Sequence, residues 1–388
     1  MNQQTSRTHL PFMALGMLAL LAGLWAGLIR LGWALPVWQP ALSIVHGPLM
    51  VSGFLGTLIT LERAVALVAL GWGSGRVSLL GQSTGADEAS PDLRWTYAAP
   101  LLSGLGALTL VLGLPGLPGP LLITLGSLGL VAMFILIVRR QPALFTTIMA
   151  LGAVAWLVGN ALWLAGRPLF GVVPWWGGFL VLTIAGERLE LARLLRLTGA
   201  GRAAFLAAVG LFLAGLILTQ VTFDVGIRLA GGGMLALALW LLRHDIARRT
   251  VRQEGLTRFI GVCLLSGYIW LGVSGLLGLA FGGVAAGSRY DVMLHALFLG
   301  FVFSMILGHA PIIFPAILKR PMAFRSAFYV HLALLHVSLL LRVAGDLTGW
   351  LPARQWGGLL NVVALLLFLA NTVRSVGETS PPGAQAPG

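Results

Sequence analysis

Charge is what this sequence has least of. Only 10% of its 388 residues are Asp, Glu, Lys or Arg, while 58% are hydrophobic and the mean hydropathy is +0.93. Soluble domains carry about a quarter charged residues, so a water-soluble globular protein is excluded and an integral membrane protein is indicated. Cysteine is almost absent. The single Cys263 excludes an intramolecular disulfide, and no C-x-x-C-H segment offers covalent haem attachment. No A-x-A cleavage pattern accompanies the first apolar run, which therefore reads as an uncleaved span. Two polar segments, Gly73 to Arg94 and Ser375 to Gly388, are too short and too plain to carry chemistry and read as flexible.

Apolar runs fill the rest. Each is about 20 residues, enough to cross a hydrocarbon core of ~30 Å. Twelve spans are predicted, over 10–29, 42–66, 96–114, 118–138, 143–165, 171–193, 203–221, 225–242, 256–281, 291–316, 324–344 and 355–373, in one transmembrane domain of residues 1–374 followed by a cytoplasmic tail, 375–388. The fold class is all-α. The net charge of +13 has a topological origin. Nineteen of the 25 Lys and Arg residues fall at the termini or after even-numbered spans, including Arg139, Arg140, Arg193, Arg196, Arg202, Arg248, Arg249, Arg252, Lys319 and Arg320. Six, among them Arg30, Arg167 and Arg289, lie on the other side. The positive-inside rule then places both termini in the cytoplasm, and the basic residues anchor the protein rather than bind nucleic acid. The lipid bilayer is the first expected partner.

A repeat is hidden in the spans. Gly53-Phe54, followed after seven residues by Glu62-Arg63, recurs as Gly178-Phe179 with Glu187-Arg188 and as Gly300-Phe301 with His309-Ala310. The glycines are 125 and 122 residues apart and fall in spans 2, 6 and 10. Each repeat thus holds four spans (about 1–138, 139–252 and 253–374). An even number makes every copy enter the membrane in the same direction, with pseudo-threefold symmetry about the membrane normal, unlike the inverted repeats of many transporters.

This three-times-four arrangement resembles subunit I of the haem-copper oxidases. In residues, the chain is similar to the NnrS family of membrane haem proteins. That family carries H-x-H-E-M-x-x-G-F in an early span, matched here by His46, Met50, Gly53 and Phe54, and a later H-A-L-x-x-G span, matched by His295-Ala296-Leu297, Gly300, Met305 and Gly308. Pro48 and Leu49 stand where the family has its second histidine and its glutamate. The resemblance implies haem b, a nitric oxide or related gas response, and a place in a bacterial inner membrane. It also implies membrane electron transfer, in which the chain acts as a haem oxidoreductase on nitric oxide or quinol, with quinol or a donor protein as partner. The oxidase copper needs histidines from spans 6 and 7, which have none, and neither Tyr268 nor Tyr290 has a suitably placed histidine. Copper is therefore doubtful, and oxygen reduction to water is not expected.

Seven histidines occur. His9 and His244 sit among polar residues at cytoplasmic ends and read as interfacial. His46, His295, His309, His331 and His336 fall inside or at the edge of spans, where ionisable groups are costly and tend to face the bundle interior. A neutral histidine bonded between helices explains any one of them; five in three spans favour ligation. His46 and His295 open spans 2 and 10. Measured from their glycines, their depths differ by about 3 Å and their directions by about 200°, as two ligands approaching one plate from opposite sides require. They are the expected axial ligands of a low-spin haem. His309 lies about 21 Å further along, and with His331 or His336 it is a candidate for a second haem or metal. Glu62, Glu187 and His309 share a repeat position and offer a non-haem metal set. The adjoining arginines make Glu62, Arg63, Glu187 and Arg188 read instead as structural ion pairs. Trp33, Trp38, Trp95 and Trp350 suit an interfacial belt. Arg289 and Asp291 suit either a propionate site or a helix cap. The competing functions are a polytopic transporter and a haem-free assembly factor on the oxidase scaffold.

Overall fold

The computed structural model describes residues 9–69, 93–192, 197–318 and 320–377. Of the two segments expected to be flexible, residues 73–92 and 378–388, like Arg193, Arg196 and Lys319, lie outside the described residues, whereas Leu93 and Arg94 begin a 3₁₀ turn and Ser375 ends the last helix. Long helices make up nearly everything else, and no sheet forms among the described residues, where the one bridge joins Met322 to Val376. We number the helices α1 (Leu10–Arg30), α2 (His46–Ala69), α3 (Ala98–Val111), α4 (Pro118–Arg140), α5 (Leu144–Leu164), α6 (Leu169–Ala192), α7 (Gly199–Leu218), α8 (Phe223–His244), α9 (Gly255–Phe281), α10 (Ser288–Leu318), α11 (Phe328–Thr348) and α12 (Leu351–Ser375). Eleven of these, all but α3, are long and apolar enough to cross a membrane, the makeup of a multi-pass membrane protein. The α3 helix has 14 residues and continues from a five-residue 3₁₀ segment, Leu93–Tyr97. At about 1.5 Å and 2.0 Å per residue the two together reach about 31 Å.

Neighbours in sequence pack as neighbours in space, and α12 returns to touch α1. Three helices sit inside this ring. Buried residues make up 61%, 72% and 67% of the apolar windows of α2, α6 and α10, against 33–50% in the other eight. α10 touches both α2 and α6. Contact between the outer helices relies on small residues, as lipid supplies no hydrophobic drive for association. Between α8 and α9, a Cβ on Gly231 would meet the Gly275 carbonyl at 2.7 Å, and one on Gly275 would meet the Gly231 carbonyl at the same distance. Any side chain at either position would push these two backbones apart.

Both α2 and α10 change character partway along. Leu49–Gly56 in α2 and Ala296–Phe303 in α10 are π-helical, and Gly53 and Gly300 each occupy the fifth position of their segment. The matching stretch of α6 around Gly178 is ordinary α-helix. π-helical turns are rare and are found often at functional sites. Because the two π segments keep the same register to their glycines, the two-residue offset between His46 and His295 falls on the regular α-helical turn His46–Pro48.

The charged residues near the ends of α2 and α6 pair across helices. Arg63 of α2 donates to Glu187 of α6 and lies 4.0 Å from Glu62. Arg188 does not follow this pattern: its Nε and Nη2 donate to the two carboxylate oxygens of Asp245 at 2.8 and 3.1 Å. The Arg188 and Asp245 side chains are 3% and 0% exposed. Asp245 also accepts the Ala247 N–H at 2.7 Å, starting the one-turn helix Ala247–Thr250. The four residues expected to form ion pairs are thus placed as such, with Asp245 as the partner the sequence did not indicate. Removing one member of a buried pair costs about 3–5 kcal/mol. Arg188→Met is expected to lower the thermal unfolding temperature in detergent sharply, and adding Asp245→Leu to recover part of the loss. Equal stability of Arg188→Met and the parent would contradict this reading of the pair.

Candidate functional site

His46 is the first residue of α2 and His295 the last before the π segment of α10. Their ring centroids lie 6.4 Å apart with planes 21° from parallel. The two histidines singled out in the sequence are therefore brought together. Each Nδ1 is 2.7–2.8 Å from a backbone carbonyl, Gly23 for His46 and Asp291 for His295. A carbonyl only accepts, so both Nδ1 atoms carry the proton and both Nε2 atoms keep their lone pair. Neither Nε2 has a hydrogen-bond partner among the described residues. Fixing the tautomer through the far nitrogen is what orients a metal-ligating imidazole.

The approach of His46 to α1 depends on glycine. A Cβ on Gly27 would lie 2.9 Å from Cε1 of His46, so any larger residue displaces the ring. Four residues earlier in the same helix, Gly23 supplies the carbonyl that holds Nδ1.

The histidines line a cavity of about 440 Å³, within the ~300–1,000 Å³ of small-molecule and cofactor sites. Its wall is largely apolar, from residues such as Leu24, Leu55, Phe298 and Phe303, with Trp176 of α6 on one side. At its outer end stand Arg30, Arg342 and Arg354 with Asp291. Arg342 donates to Asp291 at 2.7 Å, Arg354 lies 2.9 Å from Asp346 and 3.6 Å from Asp291, and the Asp291 carboxylate comes within 3.3 Å of Nδ1 of His295. Three guanidinium groups against two carboxylates leave one formal positive charge in excess. Asp291 therefore belongs to the site, whereas Arg289, its expected companion, lies 5.3 Å above the Phe281 ring instead.

The other candidates are not gathered there. His336 has both nitrogens engaged: Nδ1 accepts from Trp270 at 3.0 Å and Nε2 donates to the Ser266 hydroxyl at 3.0 Å. It has no nitrogen left for a ligand. His331 is 1% exposed, its Nδ1 3.1 Å from the Asn371 amide and its ring set against Phe259, Phe328 and Phe368. His309 bonds its own helix through Met305 at 2.7 Å. Among the described residues no group of three or more His, Cys, Asp and Glu could hold a metal ion, so the Glu62, Glu187 and His309 set does not form one. His9, expected at the interface, is buried against Tyr97 with Nε2 3.1 Å from its hydroxyl.

Residues 9–377 match the family model described as Domain of unknown function (DUF8744). The chain belongs to this family. No curated protein matches it. The DUF8744 match runs through all twelve helices, so His46, His295 and the three cavity arginines lie within the family's domain.

The arginines are what the sequence reading missed. Arg30, Arg342 and Arg354 all lie at the ends where positive charge is scarce, and that breach of the positive-inside rule was the available signal. A buried polar group left without a partner costs about 1–3 kcal/mol. His336→Ala, which strands Trp270 Nε1 and the Ser266 hydroxyl, is expected to lower stability by this order in thermal unfolding. The His46–His295 ring separation should stay unchanged in a structure of the variant; a displaced His295 would show that His336 belongs to the site after all.

Proposed function

We propose that this chain is a haem b-binding membrane protein in which His46 and His295 would hold the haem iron. The observation that carries the reading is the pair of neighbouring, near-parallel imidazoles with uncommitted Nε2 atoms. A metal–imidazole bond is about 2 Å and a ring centroid lies about 1 Å beyond its nitrogen, so two rings on opposite sides of one ion have centroids about 6 Å apart. The observed 6.4 Å fits. The charge of the site also fits: a ferric haem with two ionised propionates carries a net formal charge of minus one, matching the excess of one guanidinium. Arg30, Arg342 and Arg354 would hold the propionates, and the apolar wall would cover the macrocycle. Bound there, haem supplies one-electron redox chemistry whose potential follows from ligands, burial and second-shell hydrogen bonds.

The chain's own residues prepare this site before anything binds. The Gly23 and Asp291 carbonyls fix both tautomers, Gly27 admits the His46 ring, and Asp291 ties His295 to Arg342. We read the fold as twelve spans in three parallel four-helix repeats. The Gly-Phe recurrence, the matched register of the two π segments and the inner position of α2, α6 and α10 support this. An even number of spans puts both termini on one side, and the distribution of basic residues supports the cytoplasmic side; the resemblance to the NnrS family supports a bacterial inner membrane. Fusing a reporter active only in the cytoplasm to each terminus should give signal at both ends; signal at only one end would contradict an even count. With one haem and no copper set, electron transfer or binding of nitric oxide or a related gas is the function this centre supports, fed by quinol or a donor protein.

The test is the visible spectrum of protein purified in mild detergent from cells supplied with haem. A b-type spectrum with sharp reduced α and β bands is expected. His46→Ala and His295→Ala should each lose haem or turn it high-spin, and Gly27→Leu should do the same by displacing His46. A well-folded protein with no haem band contradicts the proposal and turns attention to transport.

A further inference from the structure

A second, smaller cavity lies beside the first. It measures about 70 Å³ and is enclosed by α6, α7, α8, α9 and α10 toward their outer ends. Phe170, Val173, Tyr290 and Leu294 line both cavities, so the two share a wall. Phe170 also packs edge-on against Phe223, centroids 5.2 Å apart at 69°. Phe170, Phe223, Ile227 and Met234 are half-buried and front on the surface of the bundle, which in a membrane is lipid.

The chemistry of the wall decides what fits. Its polar side chains are Ser274 and Tyr290, and the Ser274 hydroxyl is spent on the Met293 carbonyl at 3.1 Å. An ordered water needs two to four polar partners, and apolar cavities without them stay dry and take up xenon or small hydrocarbons. The volume leaves room for a few molecules at the roughly 10–15 Å³ that one water requires, well below the ~300 Å³ at which cofactor and drug-sized sites begin. A quinone ring or an acyl chain is too large. We infer that this chamber is a binding site for an uncharged apolar gas of diatomic size, taken up from the outer leaflet and held against the wall of the histidine cavity.

The chamber's existence does not depend on haem, although its use by the protein rests on the proposed function. Crystals of the full chain pressurised with xenon are the probe. An anomalous peak inside the chamber is expected in the parent protein, and its loss is expected in Ile227→Trp and, independently, in Met234→Phe, each of which fills the chamber from the lipid side. Neither residue lines the histidine cavity, so haem content should be unchanged. No peak in the parent, ordered water or an acyl chain in its place, or a peak that survives both substitutions overturns the inference. A haem-free preparation that still binds xenon there would count against the proposed function and leave the chamber standing.

Discussion

The structure is organised by the cost of placing polar groups in hydrocarbon. Water is absent there, so each buried donor or acceptor must find its partner within the protein. Arg188 meets Asp245, Arg63 meets Glu187, and His336 spends both its nitrogens on Trp270 and Ser266. His331 Nε2, Thr57 Oγ1 and Arg63 Nε are among the buried atoms left without a partner; what sets His46 and His295 apart is that they line one cavity. Each commits Nδ1 to a backbone carbonyl, and neither Nε2 has a partner among the described residues.

The backbone around these two histidines is shaped to the same end. The π segments of α2 and α10 begin within three residues of the histidines and place Gly53 and Gly300 at equivalent positions, while α6, which has no histidine, stays regular. Extra residues in a turn rotate everything before them relative to the rest of the helix. Two helices can thereby keep their packing at the glycines and still turn their histidine-bearing ends toward a common centre. The arginines of α1, α11 and α12 stand at one end of that centre, where Asp291 links Arg342 and Arg354 to His295.

Much of this was legible in the residues. Every predicted span has its helix, and the pairing of His46 with His295 followed from their positions at the starts of spans 2 and 10. The π turns themselves were not legible, since sequence periodicity has no signature for an inserted residue inside a uniformly apolar run; they fall in the same register in both helices and so leave the offset between the two histidines unchanged. His336 looked like a ligand because its composition gives no hint that Trp270 and Ser266, about seventy positions away in sequence, satisfy it. Asp245 was hidden for the same reason: the partner of Arg188 comes from beyond α8. Arg342 and Arg354 were visible as basic residues at the helix ends where positive charge is scarce, but only the packing of α11 and α12 against α1 and α10 shows that they converge. The match to the DUF8744 family covers the same residues and is consistent with a single membrane domain.

The account stands on the space between two imidazole rings. A cryo-EM map of the purified protein at side-chain resolution tests it most directly. A flat macrocycle between His46 and His295, with its carboxylates toward Arg30, Arg342 and Arg354, is the predicted result. Rings bridged only by water or by a lone ion, with the cavity otherwise filled by lipid or solvent, would contradict it.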